Sequence, residues 1–230
     1  MFACTLFDFN GVLVDDEHVH LAAFQDTLAP LGITLSEADY WDQYLGFDDV
    51  GAFEAILRAH GLPAERERVD ELVRTKFPIY MDRAEQSLQV FEGAAALVAR
   101  CASFGAVGVV SGALRPEIEL GLRVLGVRSH VEFIVAAEDT ERSKPDPEGY
   151  LIGLAKLRER APNLEPRQVL VIEDSLSGIE AAKAAELTCV AVAHSYPEPE
   201  LAGAGADAVV AHVRDVDHTL LERTASRVGV

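Results

Sequence analysis

The chain has 230 residues and 24.9 kDa, with 49% hydrophobic and 25% charged residues. This is ordinary globular composition, long enough for one or two domains with a core that needs no metal or disulfide staple. Asp and Glu number 38 against 20 Lys and Arg, a formal net charge of −18, which argues against nucleic-acid backbones and anionic membranes as partners. Cys4, Cys101 and Cys189 are far apart and lack CxxC spacing, so they read as reduced thiols. No apolar run reaches membrane-spanning length, and the apolar N-terminus lacks a basic segment and is interrupted by Asp8. The expectation is a soluble cytoplasmic protein without a signal peptide.

Short apolar runs occur at Phe2 to Phe7, Ala106 to Val110, Phe133 to Ala136, Val169 to Ile172, Thr188 to Ala193 and Ala208 to Val210. None alternates cleanly, as expected of strands buried on both faces of a parallel sheet. Helical segments lie between them. Ala94 to Phe104 and Pro116 to Leu125 are two; Asp146-Pro147-Glu148 predicts an Asp N-cap with Pro at the first helical position, and Ser177 to Glu180 predicts a capping box. Strand and helix in alternation predict an α/β doubly wound, mostly parallel sheet. Residues 16–89 break the alternation. Val19, Ala22, Ala23, Phe24, Thr27, Leu28 and Leu31, then Phe53, Ile56, Leu57 and His60, then Val69, Leu72, Val73, Phe77 and Tyr80 recur at helical spacing, and Ser36 with Asp39 marks another helix start. This predicts a helical domain at 16–89 inserted into an α/β core formed by 1–15 and 90–230, and such insertions often carry lids.

Ligands of open α/β sheets bind at the carboxyl ends of the strands. There the first run ends in Asp8, the second in Ser111 and the fourth in Glu173-Asp174; Glu138 and Asp139 follow the third, and Lys144 comes before its helix. A single such Asp is ordinarily just the polar residue by which a strand leaves the core. Asp8, Glu173 and Asp174 in one crevice would repel one another strongly. Mg²⁺ relieves that repulsion and suits carboxylate, water and phosphate oxygens. Lys144 and Ser111, with the neighbouring backbone amides, would hold a phosphoryl group, and one carboxylate is free to act as nucleophile.

The run Asp8-Phe9-Asn10-Gly11-Val12-Leu13-Val14-Asp15 resembles the first motif of the haloacid dehalogenase superfamily. Val109 to Gly112, Ser143 to Pro147 and Ile172 to Ala182 resemble its second, third and fourth motifs. Order and spacing match over nearly the whole chain, and the insert is similar to the helical cap of the β-phosphoglucomutase-like phosphatases. The resemblance implies that Asp8 attacks phosphorus and becomes aspartyl phosphate. It implies phosphate binding by Ser111, Gly112 and Lys144, with Lys144 also steadying Asp8. It implies Mg²⁺ ligation by Asp8, Asp174 and the carbonyl of Asn10, with Glu173 holding the metal directly or through water, and a sharp turn at Gly11. His20 matches a hinge-region His of the mutases, with an ordinary helix-face His as the alternative. The implied partner is a small phosphorylated metabolite, handled by a monomer or weak homodimer.

One departure bears on the chemistry. The family's phosphatases carry Asp two residues after the nucleophile, to protonate the leaving oxygen and later activate water; here stands Asn10. An amide does neither, and general acid–base catalysis contributes about 10²–10⁴-fold, so this form is expected to be slow. Three explanations compete: an engineered trap, a naturally slow or inactive protein, or deamidation of the labile Asn10-Gly11 pair. Glu186 replaces a frequent Gly and is read as harmless packing variation. Gly46 to Val50 lacks the Arg that the mutases use for a second phosphate, which favours hydrolysis over mutase chemistry. Lys76 and Arg74 read as solvated helix residues, with a cleft-facing role as the alternative. His18 and His20 have no third ligand, so zinc is not expected. The rivals are an inactive binder of a phosphorylated ligand, a receiver-type signalling module and a sugar-phosphate mutase.

Overall fold

Branched apolar residues at consecutive positions make the strands, and parallel pairing buries both of their faces. The computed structural model describes residues 2–230. Its main sheet consists of β1 (Cys4–Phe7), β4 (Ala106–Val110), β5 (Phe133–Val135), β6 (Val169–Glu173), β7 (Thr188–Val192) and β8 (Ala208–Val210). They are parallel, in the order β5-β4-β1-β6-β7-β8. β1 is central, so its carboxyl end emerges between those of β4 and β6.

The two faces of β1 pack differently. Cys4 and Leu6 join one buried cluster with Val110, Tyr150, Leu154, Leu157, Ile179 and Ala182. Several of these come from α7 (Glu148–Arg158) and α8 (Leu176–Ala184). Thr5 and Phe7 alternate with them by strand geometry and so point to the opposite face. The remaining core helices are α5 (Ala94–Ala102), α6 (Arg115–Val124), α9 (Glu198–Gly203) and α10 (His218–Val228). The helices fill the intervals between strands, and the α/β expectation holds.

The chain forms two compact units, one comprising Asp16–Gln89 and the other running to Asp15 and resuming at Val90–Val230. The inserted unit is helical: α1 (Glu17–Leu28), α2 (Glu37–Gln43), α3 (Asp49–Ala59) and α4 (Arg66–Ser87). Its core joins Phe24, Leu28, Tyr40, Phe53, Ile56, Leu57 and Val69. Ser36 caps α2 by accepting the Asp39 amide at 3.0 Å. The chain crosses between the units within a two-stranded ribbon of β2 (Val14–Asp15) and β3 (Gln89–Val90). Among the described residues no helix is long and apolar enough to cross a membrane.

Four local expectations are corrected. α7 starts at Glu148, one residue later than expected, although Asp146 still accepts the Glu148 amide at 3.0 Å. The cap of α8 is Ser175, whose hydroxyl accepts the Gly178 amide; Ser177 lies inside the helix. An earlier hydroxyl at the strand exit took the capping role. Glu186 is not a packing variation: at φ +61° it is the one non-glycine among the described residues in the left-handed region, where a Cβ is strained. Lys76 is not solvated: its side chain is fully buried within the helical unit, with Nζ 2.5 Å from Asp49 and 2.8 Å from His20 Nδ1. Arg74, by contrast, is exposed as expected.

Candidate active site

Register alone brings the expected strand-end residues together. Phe7 lies opposite Val109 of β4 and Ile172 of β6, so Asp8 emerges beside the ends of both strands. Its amide donates to the Ile172 carbonyl at 2.9 Å. Glu173 ends β6 and Asp174 follows, while Ser111 follows β4 with its amide bonded to Val135. Lys144 enters from the loop ahead of α7, through a cis Lys144-Pro145 bond. Its Nζ is 2.6 Å from Asp8 Oδ1 and 2.6 Å from Glu173 Oε1. The Ser111 hydroxyl lies 3.4 Å from Asn10 Oδ1 and accepts the Ala113 amide at 3.1 Å. Gly112 is exposed beside them. Glu138 and Asp139 stay outside the cluster: they bind Arg115 at the start of α6.

Residues 8–14 turn sharply. Gly11 donates to Val14, and Leu13 and Val14 donate to Phe9. Gly11 has φ +72°, and a Cβ there would lie 2.0 Å from Asp174 Oδ2. Only glycine meets both conditions, so this residue lets the loop close against Asp174.

Asp8, Glu173 and Asp174 each offer an oxygen, all within 4.8 Å of one another, and all three residues are buried. Burial pushes the Asp8 carboxyl up to about 7, against the pull of Lys144 and with the further push of Glu173. Burial and the charges of Glu173 and Asp8 push Asp174 well above the carboxylate range. Glu173 goes the other way. Burial opposes its charge, yet Lys144 and the amides of Ser175 and Asp174 hold it low. Its Oε1 accepts from Lys144 and Tyr150, and its Oε2 from both of those amides and the Ser175 hydroxyl. That fills the acceptor capacity of one carboxylate. One ammonium thus faces three carboxyl groups, and the shortage of positive charge is met by protons retained on Asp8 and Asp174. An all-oxygen donor set that gives up protons when positive charge is supplied fits a hard divalent cation.

Comparison with known proteins decides the family. Residues 5–192 match the haloacid dehalogenase-like hydrolase family. The chain belongs to that family. Validoxylamine A 7'-phosphate phosphatase of Streptomyces hygroscopicus subsp. limoneus is 31% identical over 207 residues, 89% of this chain and 92% of that protein. N-acetylmuramic acid 6-phosphate phosphatase of Pseudomonas aeruginosa is 29% identical, over 92% of this chain and 91% of that protein. A mutant of CbbY from Rhodobacter sphaeroides, solved with xylulose-(1,5)bisphosphate, is 25% identical with a TM-score of 0.80, over 94% of this chain and 96% of that one. Within the haloacid dehalogenase-like hydrolases, the chain is thus of the phosphatase type.

Three residues of this site are absent from the sequence-based expectation. Tyr150, in the first turn of α7, donates to Glu173 at 3.1 Å and lies under Lys144, whose Nζ is 5.1 Å from the ring centroid. His194 and Ser195 follow β7, His194 bonding the Gly11 carbonyl and Ser195 donating to Asp174 Oδ2. The strand-end rule contained this signal. The fifth apolar run ends at Ala193, and the next two residues are the ones that reach the site.

Proposed function

We propose that this protein transfers a phosphoryl group from a small phosphomonoester to Asp8 and then to water, with turnover slowed by Asn10. The observation that carries the reading is the convergence on Asp8: Lys144 at 2.6 Å, Glu173 and Asp174 within the same 4.8 Å cluster, and the Ser111 hydroxyl beside Asn10. An Asp8 oxygen attacks phosphorus, the leaving oxygen takes its proton from water because Asn10 has none to give, and a second water later cleaves the acyl phosphate, freeing Asp8 and inorganic phosphate. Lys144 favours the ionised form of Asp8 that the attack needs. Ser111, Gly112 and Lys144 would bind the phosphoryl oxygens.

Mg²⁺ would be held by Asp8, Asp174 and the backbone carbonyl of Asn10, and would supply charge neutralisation at the transferring group. With its acceptor sites filled by protein donors, Glu173 orients Lys144 and the start of the 174–178 turn rather than serving as a direct ligand. The helical unit at 16–89 would act as a cap that shields the reaction from bulk water. Its Asp49 is bonded to Lys76, and Gly46 to Val50 contain no Arg, which favours hydrolysis over mutase chemistry.

The test is Mg²⁺-dependent phosphate release from a panel of sugar and polyol phosphates, by this protein and its Asn10→Asp variant. A rate gain of about 10²–10⁴-fold is expected from restoring a carboxyl at residue 10. Asn10 favours one rival, a phospho-ligand-binding protein without turnover. Ligand binding with no phosphate release from either form would establish that rival instead.

A further inference from the structure

Four groups at the carboxyl edge of the sheet close into a ring. The Gly11 Cα abuts the Asp174 carboxylate so closely that a Cβ would lie 2.0 Å from Oδ2. The Ser195 hydroxyl donates to that same Oδ2. His194 is bonded along the chain to Ser195, and its Nδ1 lies 2.7 Å from the Gly11 carbonyl. The tautomer follows from the partners. The Val213 amide donates to Nε2 at 3.2 Å, so Nε2 carries a lone pair, the proton sits on Nδ1, and Nδ1–H donates to Gly11. Burial, which disfavours the charged imidazole, pushes the His194 pKa down, in keeping with this neutral form. Phe91 stacks on the ring at 3.9 Å between centroids and 19° between planes, fixing its orientation.

The ring has a mechanical consequence. Asp174 is a short side chain whose carboxylate can swing about its last torsion. Ser195 holds one of the two oxygens, Oδ2, and so limits that swing. The Gly11 carbonyl belongs to the loop that carries Asp8 and Asn10, and His194 prevents that loop from lifting off Asp174. One dipeptide thus ties the first strand's loop to the carboxylate after β6.

We propose that His194 and Ser195 are positioning residues that clamp the 8–11 loop onto Asp174, so that the carboxylates stand pre-set for a divalent cation. The cation part rests on the phosphoryl-transfer reading; the clamp itself does not. Groups that orient metal-binding side chains are commonly worth 10–100-fold in metal affinity.

The experiment uses the full chain and Mn²⁺ alone, with affinity read by electron paramagnetic resonance. Hydrogen exchange of the segment 8–14 is followed in metal-free protein. Ser195→Ala and His194→Ala should weaken Mn²⁺ binding by about 10–100-fold and speed exchange in 8–14, while β4 and β6 keep their protection. Ser195→Thr retains the hydroxyl, and His194→Asn retains a donor near Nδ1; both should restore most of the affinity and the protection. Unchanged affinity and exchange in both alanine variants would overturn the clamp. So would protection lost throughout the core, or failure of Thr and Asn to rescue. Absence of Mn²⁺ uptake by the unmodified protein, with loop exchange still rising in the variants, would remove the metal reading and leave the clamp standing.

Discussion

Two lysines among carboxylates, Lys76 fully buried and Lys144 partly buried, set the two units apart. In the helical unit, the Lys76 ammonium lies 2.5 Å from Asp49, accompanied by neutral-capable partners: His20 at 2.8 Å and the Phe24 ring at 4.4 Å. In the core, Lys144 lies 2.6 Å from both Asp8 and Glu173, with Asp174 in the same cluster. Around the first, Lys76 and His20 together face Asp49, Asp16 and Glu17; around the second, Lys144 alone faces three carboxylates. The helical unit sets two basic groups against its acids and so comes nearer to closing its own charge network, whereas the single lysine of the core leaves more for a cation or for protons to balance. Lysine burial alone thus says little about function; the ratio of acids to basic groups around it says more.

That contrast can be broken by experiment. In the Asn10→Asp background, Lys144→Met should lower phosphate release by about 10²–10³-fold, the usual cost of removing one charge-stabilising donor. Lys76→Met should act on stability instead. It strands Asp49 and costs about 3 kcal/mol in chemical denaturation, and Lys76→Met with Asp49→Leu should recover most of that. Equal effects of the two lysine substitutions on turnover and stability would erase the distinction.

The surplus charge also predicts a pH dependence. Asp8 titrates near 7 without a cation, and a cation must displace that proton. Mn²⁺ affinity should therefore fall as pH drops through 7, by more than about tenfold per unit, because Asp174, also raised, must give up a proton as well. The cation-free protein shows the opposite trend. A raised acid binds more protons folded than unfolded, so its stabilising share is lost as pH rises from the unfolded carboxylate range through 7. Melts of the cation-free protein at pH 5.5 and 8 measure the sign. The smallest effect lies away from both lysines. Glu186→Gly relieves the left-handed strain after α8 and should stabilise the core by about 1 kcal/mol, raising Tm by about 2–4 °C. Because it leaves the carboxylates untouched, it separates general stability from charge balance.

Much of this was legible in the residues. Continuous branched runs marked the six core strands, and the loss of alternation over 16–89 marked the helical insert. The polar residues after the strands brought Asp8, Ser111, Glu173 and Asp174 into view, because parallel strands end on one edge. What stayed hidden depends on distance in sequence. Lys76 looks like any helix lysine until Asp49, across the helical unit, turns out to face it. Tyr150 reads as core until its hydroxyl finds Glu173. Glu186 hides its backbone angle behind an ordinary side chain, and the frequent Gly that it replaces was the signal, read instead as packing. His194 and Ser195 were within reach of the strand-end rule and show its value when applied to every strand.

The ribbon of Val14–Asp15 against Gln89–Val90 closes the core on itself. The chain leaves the α/β unit and returns to it at neighbouring positions, so the helical unit is a single excursion of the chain. Asp8, Ser111, Lys144, Glu173 and Asp174 all belong to the α/β unit. The excursion can therefore be lengthened, shortened or exchanged while the strand order and the carboxylate cluster stay as they are. In such a plan, chemistry and whatever the excursion contributes are inherited as separable parts.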